Sequence, residues 1–237
     1  MENIYALIVA GGKGLRMASG IRKQYIELAG VPILAHTLKI FDDFQKIHHI
    51  ILVVPEDDID YCANEILFKY GFKEKVTLVS GGIERQNSVM NGLSKICSLS
   101  LSLKDSVVLI HDAVRPFVDH EIISRVIRDA SRYGASIPVI PVVDTLKRGD
   151  GHGYVSSLDG TVNRQELYQA QTPQAFDLKL ILEAHQNALK NGFLGTDDAS
   201  LVEKINKKVS MVPGSKKNIK ITTPEDIAFA RYIISGA

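Results

Sequence analysis

The sequence predicts an α/β fold: a doubly wound, mostly parallel sheet with a projecting β-arm. Nearly continuous apolar strands alternate with helical patterns, which is typical of a parallel sheet covered on both faces. The alternation stops near Pro141, where a charged, glycine-rich stretch begins. The chain has 237 residues, 45% of them hydrophobic, which is enough for one large core. We therefore expect a single domain over residues 1–237, with the arm at about 142–165.

Each predicted element rests on a local pattern. Short apolar runs bounded by polar residues, glycine or proline indicate strands before the arm at Tyr5–Ala10, His49–Val54, Val76–Ser80, Ser106–His111 and Ser136–Pro141. Apolar residues that recur every three or four positions indicate helices between them, at Ile33–Phe41, Ile59–Tyr70, Arg85–Ile96 and Glu121–Tyr133.

The predicted arm differs from the rest of the chain in composition. Val142–Asp159 is charged and glycine-rich, and the short apolar pairs Tyr154-Val155 and Thr161-Val162 indicate a β-ribbon. Such a ribbon is too polar to fold alone, so it needs a second subunit or a close fold-back to be ordered. Beyond it we expect strands at Leu167–Gln171, Lys208–Val212 and Asn218–Thr222, and helices at Leu178–Asn191 and Asp197–Lys204. A last helix begins at Thr223-Pro224, an N-cap followed by a proline suited to the first helical position.

Composition excludes several classes of protein. A net charge of +1 gives no broad basic surface for nucleic acid. No apolar run approaches the roughly 20 residues that span a bilayer, and Met1-Glu2-Asn3 lacks the basic start of a secretory signal. Cys62 and Cys97 have no spacing partner and are expected to be small packed thiols. We therefore expect a cytoplasmic protein.

The first predicted strand runs directly into a glycine-rich turn surrounded by cations. Gly11–Met17 follows the apolar run, and Lys13, Arg16 and Lys23 stand around it. Glycines allow backbone N–H groups to approach phosphate oxygens, and the cations supply the charge that those oxygens need. The segment predicts a polyphosphate site that also handles charge developing during a reaction.

Other interpretations of this turn fit less well. Gly12-Lys13-Gly14 supplies the first two glycines of a dinucleotide fingerprint, and Glu56 could bind a ribose, but Met17 stands where the third glycine belongs. A phosphate loop of the Gly-Lys-Ser/Thr type is excluded, because no such triplet follows at the right spacing. A plain strand-to-helix turn with solvated cations explains the glycines but not the clustering of Arg16 and Lys23.

The third strand ends in a second glycine pair. Gly81-Gly82 precedes a predicted helix N-terminus, which is a natural site for an anion or a base edge. Arg85 could contact a phosphate, and Ser88, one turn into the helix, could reach back toward a ligand. The alternative for Arg85 is a salt bridge with Glu84 or with an acid at the sheet edge.

The fourth strand ends in His111-Asp112. An aspartate at such a strand tip, beside a phosphate site, can bind a ribose hydroxyl or Mg²⁺. The alternative is that Asp112 pairs with Arg115 or caps the next helix. His111 is expected to be a packed, hydrogen-bonded core histidine rather than a base.

Taken together, the motifs resemble those of the 2-C-methyl-D-erythritol 4-phosphate cytidylyltransferase family. The matching blocks run in family order over nearly the whole chain: Ala10–Met17, Lys23-Gln24-Tyr25, Gly81–Ser88, His111–Pro116, Asp144–Lys147, Val162–Arg164, Gln171–Phe176, Thr196–Ser200 and Asn218–Asp226. The resemblance implies a nucleotide-diphospho-sugar transferase-like sheet, and a homodimer held through the β-arm. It also implies transfer of CMP from CTP to the phosphorylated alcohol with Mg²⁺ present, releasing pyrophosphate, in non-mevalonate isoprenoid precursor synthesis.

The resemblance also implies roles for single residues. Arg16 and Lys23 correspond to the pair that stabilises the transition state at the α-phosphate of CTP. Residues expected to bind CTP are Ala10, Gly11, Gly12, Lys13, Gly14, Gly82, Arg85, Ser88, Asp112 and Ala113, with Asp112 also on the metal side. Residues expected to bind the alcohol phosphate are Arg115, Thr145, Arg164, Thr172, Thr196 and Lys220, with Thr145 and Arg164 coming from the partner's arm. Ile83 stands where relatives often carry an acid, so backbone carbonyls would mainly read the base.

Three alternatives stay open at this point. Ribitol 5-phosphate cytidylyltransferases share the fold and many blocks, although Thr161–Arg164 and Thr196–Ser200 look closer to the methylerythritol type. A nicotinamide-dependent oxidoreductase on a related sheet is more distant, because the third fingerprint glycine is missing. A catalytically inactive nucleotide-binding module is disfavoured by the intact Arg16, Lys23 and Asp112.

Overall fold

A computed structural model describes residues 3–10, 22–72, 74–99 and 104–236 of the chain. Its strands are β1 (Asn3–Val9), β2 (Glu27–Leu28), β3 (Val31–Pro32), β4 (Ile47–Val54), β5 (Val76–Ser80), β6 (Ser106–Asp112), β7 (Ala135–Pro141), β8 (Tyr168–Ala170), β9 (Gln174–Asp177) and β10 (Ser210–Pro213). Its helices are α1 (Ile33–Asp43), α2 (Ile59–Tyr61), α3 (Arg85–Leu99), α4 (His120–Tyr133), α5 (Leu178–Lys190), α6 (Asp198–Lys204) and α7 (Pro224–Ser235). α2 continues as the π-helical segment Cys62–Phe68, and short 3₁₀ turns occupy Lys23–Tyr25 and Glu56–Asp58.

The main sheet confirms the predicted architecture. Its strand order is β10-β7-β9-β6-β1-β4-β5, with β8 beside β7. β1 pairs in parallel with both β4 and β6, β4 with β5, and β7 with β10, whereas β8 and β9 run antiparallel to their neighbours. The register places Val9 level with Val53 on one side and Asp112 on the other. The carboxyl ends of the central strands therefore meet at one edge, where ligands bind in such sheets.

Both faces of the sheet are covered, as the continuous apolar strands predict. Along β1, Ala6 and Ile8 belong to one buried cluster and Leu7 and Val9 to the other, because successive side chains of a strand point to opposite faces. The first cluster contains residues of α1 and α4, and the second contains residues of α3 and α5. At Gly92 of α3 an added Cβ would stand 2.7 Å from Leu7 Cδ1, so glycine permits the close approach of this helix to β1.

Two features of the sheet depart from the expectations. The strand predicted at Asn218–Thr222 is wrong: this segment follows β10 outside any strand. Ile221 donates one backbone hydrogen bond to Val114 and buries its side chain with Leu28 and Ile33, so its apolar alternation fills a third cluster rather than a sheet. Conversely, β9 was not predicted, because Gln174–Asp177 has only two central apolar residues.

The arm folds back on itself as a β-ribbon. Lys147 faces Thr161 and Gly149 faces Val155 in antiparallel bridges, and Val162 N–H donates to the Leu146 carbonyl at 3.1 Å. In the turn between Val155 and Thr161 the Leu158 side chain is 96% exposed. The predicted ribbon is thus present, and its pairing with a second copy stays a prediction. No helix in the described ranges is both long enough and apolar enough to cross a bilayer.

Candidate active site

A hollow lies at the carboxyl ends of β1 and β6, where the sequence places the phosphate chemistry. The 3₁₀ turn Lys23–Tyr25, the first residue of α3 and the segment before α7 complete its walls. Its lining residues are Val9, Ala10, Lys23, Gln24, Arg85, Asp112, Ala113, Val114 and Lys220. Six of the residues predicted to bind CTP, to act in catalysis or to bind the alcohol phosphate are therefore brought together: Ala10, Lys23, Arg85, Asp112, Ala113 and Lys220.

Asp112 is the centre of a charged cluster. Its Oδ2 lies 2.9 Å from Lys220 Nζ and 3.5 Å from Arg115 Nε, and its Oδ1 lies 3.4 Å from Arg85 Nε. Burial works to raise the pKa of Asp112, but Arg85, Lys220 and Arg115 together hold it well below its usual range. The carboxylate is therefore ionised, and three cations share its single charge.

Buried hydrogen bonds through Thr172 and His111 hold the end of the strand that carries Asp112. Asp112 N–H donates to Thr172 Oγ1 at 3.1 Å, the Thr172 hydroxyl lies 3.0 Å from His111 Nδ1, and His111 Nε2 lies 3.1 Å from the Arg115 carbonyl. Burial lowers the pKa of His111 to about 4, so the ring is neutral at pH 7. His111 is thus the packed, hydrogen-bonded histidine that the sequence predicts. Thr172, predicted to bind substrate, is itself buried with its hydroxyl engaged in these hydrogen bonds.

Lys23 approaches the same hollow from the 3₁₀ turn. Gln24 Nε2 donates to the Ala10 carbonyl at 3.2 Å, which ties the turn to the end of β1. Burial lowers the pKa of Lys23, and the nearby Lys220 lowers it further, while Asp112 acts in the opposite direction. Two ammonium groups therefore repel each other across the hollow. Such an arrangement favours an anionic ligand that neutralises both.

Arg85 connects the hollow to a second buried acid, Asp198, for which the sequence predicts no role. Its Nη1 donates to Asp198 Oδ2 at 2.7 Å while Nε faces Asp112. Asp198 begins α6, is 1% exposed, and has His185 Nε2 3.5 Å from its Oδ1. The predicted alternative of a pairing with an acid at the sheet edge therefore holds for Arg85. Asp198 belongs to the Thr196–Ser200 motif, so the sequence marks its segment as functional. The motif alone does not show that Arg85 is its partner.

The loop between β5 and α3 is held by its own residues. Gly82 N–H donates to Ser88 Oγ at 3.0 Å, and that hydroxyl donates to the Glu84 carbonyl at 3.1 Å. A Cβ at position 82 would overlap the side chain of Asn87, so the close turn requires glycine. Ser88 is fully buried, which places it behind the loop, while Ile83 is exposed at its tip.

Other predicted residues lie around this central hollow. Arg115 and Lys220 line a wider groove beside β7 and β8 that also contains Lys216. Thr196 lines a second hollow, which also has Arg85 in its lining. Thr145 and Arg164 lie on the exposed ribbon, where the Arg164 guanidinium donates to the Val143 carbonyl. In the described part of the chain, no hydrogen bond joins Thr145 or Arg164 to the central hollow.

Part of the predicted site lies outside the described residues. Gly11, Gly12, Lys13, Gly14 and Arg16 all belong to 11–21, which the structure does not describe. Ala10 on one side and Arg22 on the other are described. The predicted roles of the glycine turn and of Arg16 stay predictions.

The predicted metal contact can be tested against the donor groups present. Among the described residues, no group of three or more His, Cys, Asp or Glu side chains could hold a metal ion. Asp112 is the single carboxylate in the described lining of the hollow, and its Oδ2 already contacts Lys220. Mg²⁺ prefers six oxygen ligands and commonly takes most of them from phosphates and water. The donor set therefore suits a magnesium ion that arrives with a polyphosphate, not one caged by the protein.

Comparisons with known proteins agree with this geometry. Residues 4–236 match the family described as IspD, 2-C-methyl-D-erythritol 4-phosphate cytidylyltransferase. A relative of that name from Clostridium beijerinckii is 48% identical over 233 residues, covering 98% of this chain and 99% of its own. Another, from Geobacillus thermodenitrificans, is 43% identical and covers 99% and 98% of the two chains.

Solved structures show the same similarity. The 4-diphosphocytidyl-2C-methyl-D-erythritol synthase of Anaerococcus prevotii superposes with a TM-score of 0.83 at 37% identity, covering 99% of this chain and 96% of its own. The 2-C-methyl-D-erythritol 4-phosphate cytidylyltransferase of Thermus thermophilus gives a TM-score of 0.77 at 31% identity, covering 99% and 100% of the two chains. The predicted fold class is confirmed by these neighbours.

Proposed function

The chain belongs to the 2-C-methyl-D-erythritol 4-phosphate cytidylyltransferase family, and we propose on that premise that it transfers CMP from CTP to 2-C-methyl-D-erythritol 4-phosphate. The products are the cytidine diphosphate derivative of the alcohol and pyrophosphate. This reaction belongs to non-mevalonate isoprenoid precursor synthesis, and we expect the chain to carry it out in the cytoplasm. The nearly full-length similarity supports this assignment over an oxidoreductase or a ribitol 5-phosphate enzyme.

The observation that carries the proposal is the excess of positive charge around Asp112. Lys23, Lys220 and Arg85 line the hollow with only one carboxylate among its described residues, and Arg115 contacts that carboxylate from beside it. Joining CTP to a phosphate ester requires two polyanions to approach each other, so cations must offset their repulsion. The cations of this hollow meet that requirement.

The chemistry needs no general base. A phosphate oxygen of the alcohol phosphate, already anionic at neutral pH, attacks the α-phosphorus of CTP. A new P–O bond forms there as the bond from that phosphorus to the bridging oxygen of the β-phosphate breaks, and pyrophosphate leaves with the electron pair. Lys23, together with Arg16 from the glycine turn, offsets the charge that develops on the transferring group. Neutral, buried His111 has no proton-transfer role in this scheme.

Magnesium enters this proposal as the counter-ion of the triphosphate. When bound, it would supply charge neutralisation on the phosphates, and Asp112 is the described side chain placed to contact it. Asp112 also accepts from Lys220 and thereby holds that ammonium at the hollow. This second role does not depend on the metal.

The ribbon supports the proposal of a homodimer. It presents exposed apolar side chains, among them Tyr154 and Leu158, which a second copy could cover. In this arrangement Thr145 and Arg164 of one subunit reach the alcohol phosphate bound by Arg115 and Lys220 of the other. The groove beside β7 and β8, which contains both of those cations, is the place for that phosphate.

Pyrophosphate release tests the function. The purified chain is incubated with CTP, Mg²⁺ and 2-C-methyl-D-erythritol 4-phosphate, with ribitol 5-phosphate and no alcohol as matched controls. We expect rapid release with the first alcohol and only background release in both controls. Release that is faster with ribitol 5-phosphate, or absent with both alcohols, would overturn the assignment.

A further inference from the structure

The residues on both sides of Lys23 are held by a single acid. Arg22 Nη1 donates to Asp58 Oδ2 at 2.9 Å, and the Tyr25 hydroxyl donates to the same oxygen at 2.7 Å. Asp58 ends the 3₁₀ turn that directly follows β4, and its side chain is 13% exposed. One carboxylate from the neighbouring strand end therefore fixes both flanks of the predicted catalytic lysine.

Further contacts fix Tyr25. Its hydroxyl lies 3.2 Å from Cys62 Sγ, and its ring packs against Tyr61 with centroids 4.8 Å apart. Burial raises the pKa of Tyr25, with Cys62 and Asp58 adding to the shift, so the phenol stays protonated and can donate at any working pH. Tyr25 is thus a permanent donor to Asp58.

Within the part of residues 22–236 that the structure describes, few other hydrogen bonds hold the turn in shape. It contains three residues, and no side chain caps its start. Its own backbone contributes the bonds from Tyr25 N–H to Arg22 at 2.9 Å and from Ile26 N–H to Lys23 at 3.3 Å. Gln24 ties it to β1 through the Ala10 carbonyl. Among the described residues, the other tertiary hydrogen bonds of the turn and of Arg22 go to Asp58 and Cys62.

We propose that Asp58 is a positioning residue, which holds the Lys23 turn through Arg22 and Tyr25 so that the Lys23 ammonium faces the reacting phosphate. The role of Lys23 in this inference rests on the proposed function. A lysine side chain is long and flexible, so the placement of its backbone decides how much of its time the ammonium spends in the hollow. A misplacement of about 1 Å in such a group can cost about 10²-fold in rate.

The first experiment compares steady-state kinetics of Asp58→Asn and Tyr25→Phe with the wild type. Both changes preserve size while removing, respectively, the acid's charge and the phenol's hydrogen bond. We expect kcat to fall by about 10-fold to 100-fold in Asp58→Asn, and less in Tyr25→Phe, with little change in the KM for CTP. The matched control is Asp43→Asn, which breaks the exposed pair with Lys39 and should leave kcat unchanged.

A double-mutant cycle separates positioning from a general structural effect. In a Lys23→Ala background, Asp58→Asn should change kcat by less than about 2-fold, because the group it positions is gone. If Asp58→Asn lowers kcat equally with and without Lys23, or leaves the wild-type kcat unchanged, the inference is wrong.

A second measurement does not depend on the reaction. Reductive methylation with ¹³C-formaldehyde reports the pKa of Lys23 by NMR, with Lys23→Arg used to identify its signal. In Asp58→Asn we expect this pKa to rise toward that of the exposed dimethyl-lysines in the same spectrum, as the ammonium leaves its partly buried place near Lys220. Loss of the negative charge of Asp58 without any movement of Lys23 would lower the pKa of Lys23. The direction of the shift therefore distinguishes movement of the lysine from a purely electrostatic effect. An unchanged or lower pKa overturns the inference even if the chain releases no pyrophosphate, whereas inactivity alone overturns only the proposed function.

Discussion

At the scale of single residues, the site depends on how few acids balance its cations. Asp112 faces Lys220, Arg85 and Arg115, and Arg85 also pairs with the buried Asp198. The sequence points to Asp112 and Arg85 through the strand-end loops that carry them, whereas Lys220 is indicated only by the family resemblance. It did not reveal Asp198 or Asp58, because their partners lie 113 and 36 positions away along the chain. Such pairings depend on the packed fold rather than on local pattern.

The crowding of Lys23 and Lys220 predicts an alkaline limit on activity. Because burial and Lys220 lower the pKa of Lys23, its positive charge is lost at a lower pH than in an ordinary lysine. We expect kcat/KM for CTP to fall on the alkaline side with an apparent pKa below 10.5. In Lys23→Arg this alkaline fall in kcat/KM should move to higher pH, because arginine stays protonated. Lys39→Arg, at an exposed position, should leave the profile unchanged; a wild-type apparent pKa at or above 10.5 would contradict this account.

At the scale of elements, strands with long apolar runs were predicted well. β1, β4, β5, β6 and β7 appear close to their expected bounds, because continuous burial on two faces leaves a clear local pattern. β9 is not predicted, because its four residues carry no clear strand pattern. Its place in the sheet depends on pairing with β6 and β7, which are distant along the chain. The segment Asn218–Thr222 shows the converse error, since its alternating isoleucines bury against α1, β2 and the loop after β6 without joining a sheet.

The start of α6 shows how a local motif and long-range contacts act together. Asp197 caps this helix by accepting from Ser200 N–H at 2.9 Å, as aspartate commonly does at this position. Gln174 of β9 then donates to Asp197 Oδ2 at 2.7 Å and accepts from Ala199 N–H at 3.0 Å. These contacts lock the helix start to the sheet, and so place Asp198 against Arg85.

At the scale of the whole molecule, the β-ribbon is the part least explained by a single chain. It is ordered by a few cross-strand bonds and exposes apolar side chains such as Val143, Tyr154 and Leu158. The sequence predicts its shape from composition, but a homodimer and a shared site rest on the family resemblance. The proposal requires that each site take Lys23 from one subunit and Arg164 from the other.

Mixing two inactive variants tests this shared site. Lys23→Ala and Arg164→Ala are each assayed alone, and then after their subunits are allowed to exchange, at a low concentration of the alcohol phosphate. A mixed dimer contains one site with both residues intact, so activity should recover to about one quarter of wild type after random exchange. Exchange is verified with differently tagged chains. No recovery in a sample with proven mixed dimers would contradict a site built from two subunits.

The central claim is that Lys23 offsets the charge that develops at the α-phosphorus of CTP during transfer of the CMP group. The turnover of Lys23→Ala tests this claim most directly. Removing a donor of this kind typically costs about 10²–10³ in rate. We predict that kcat for pyrophosphate release falls by about that factor, while the Kd for CTP, measured by calorimetry, changes far less. Near-normal turnover, or a loss found wholly in CTP affinity, would contradict the account.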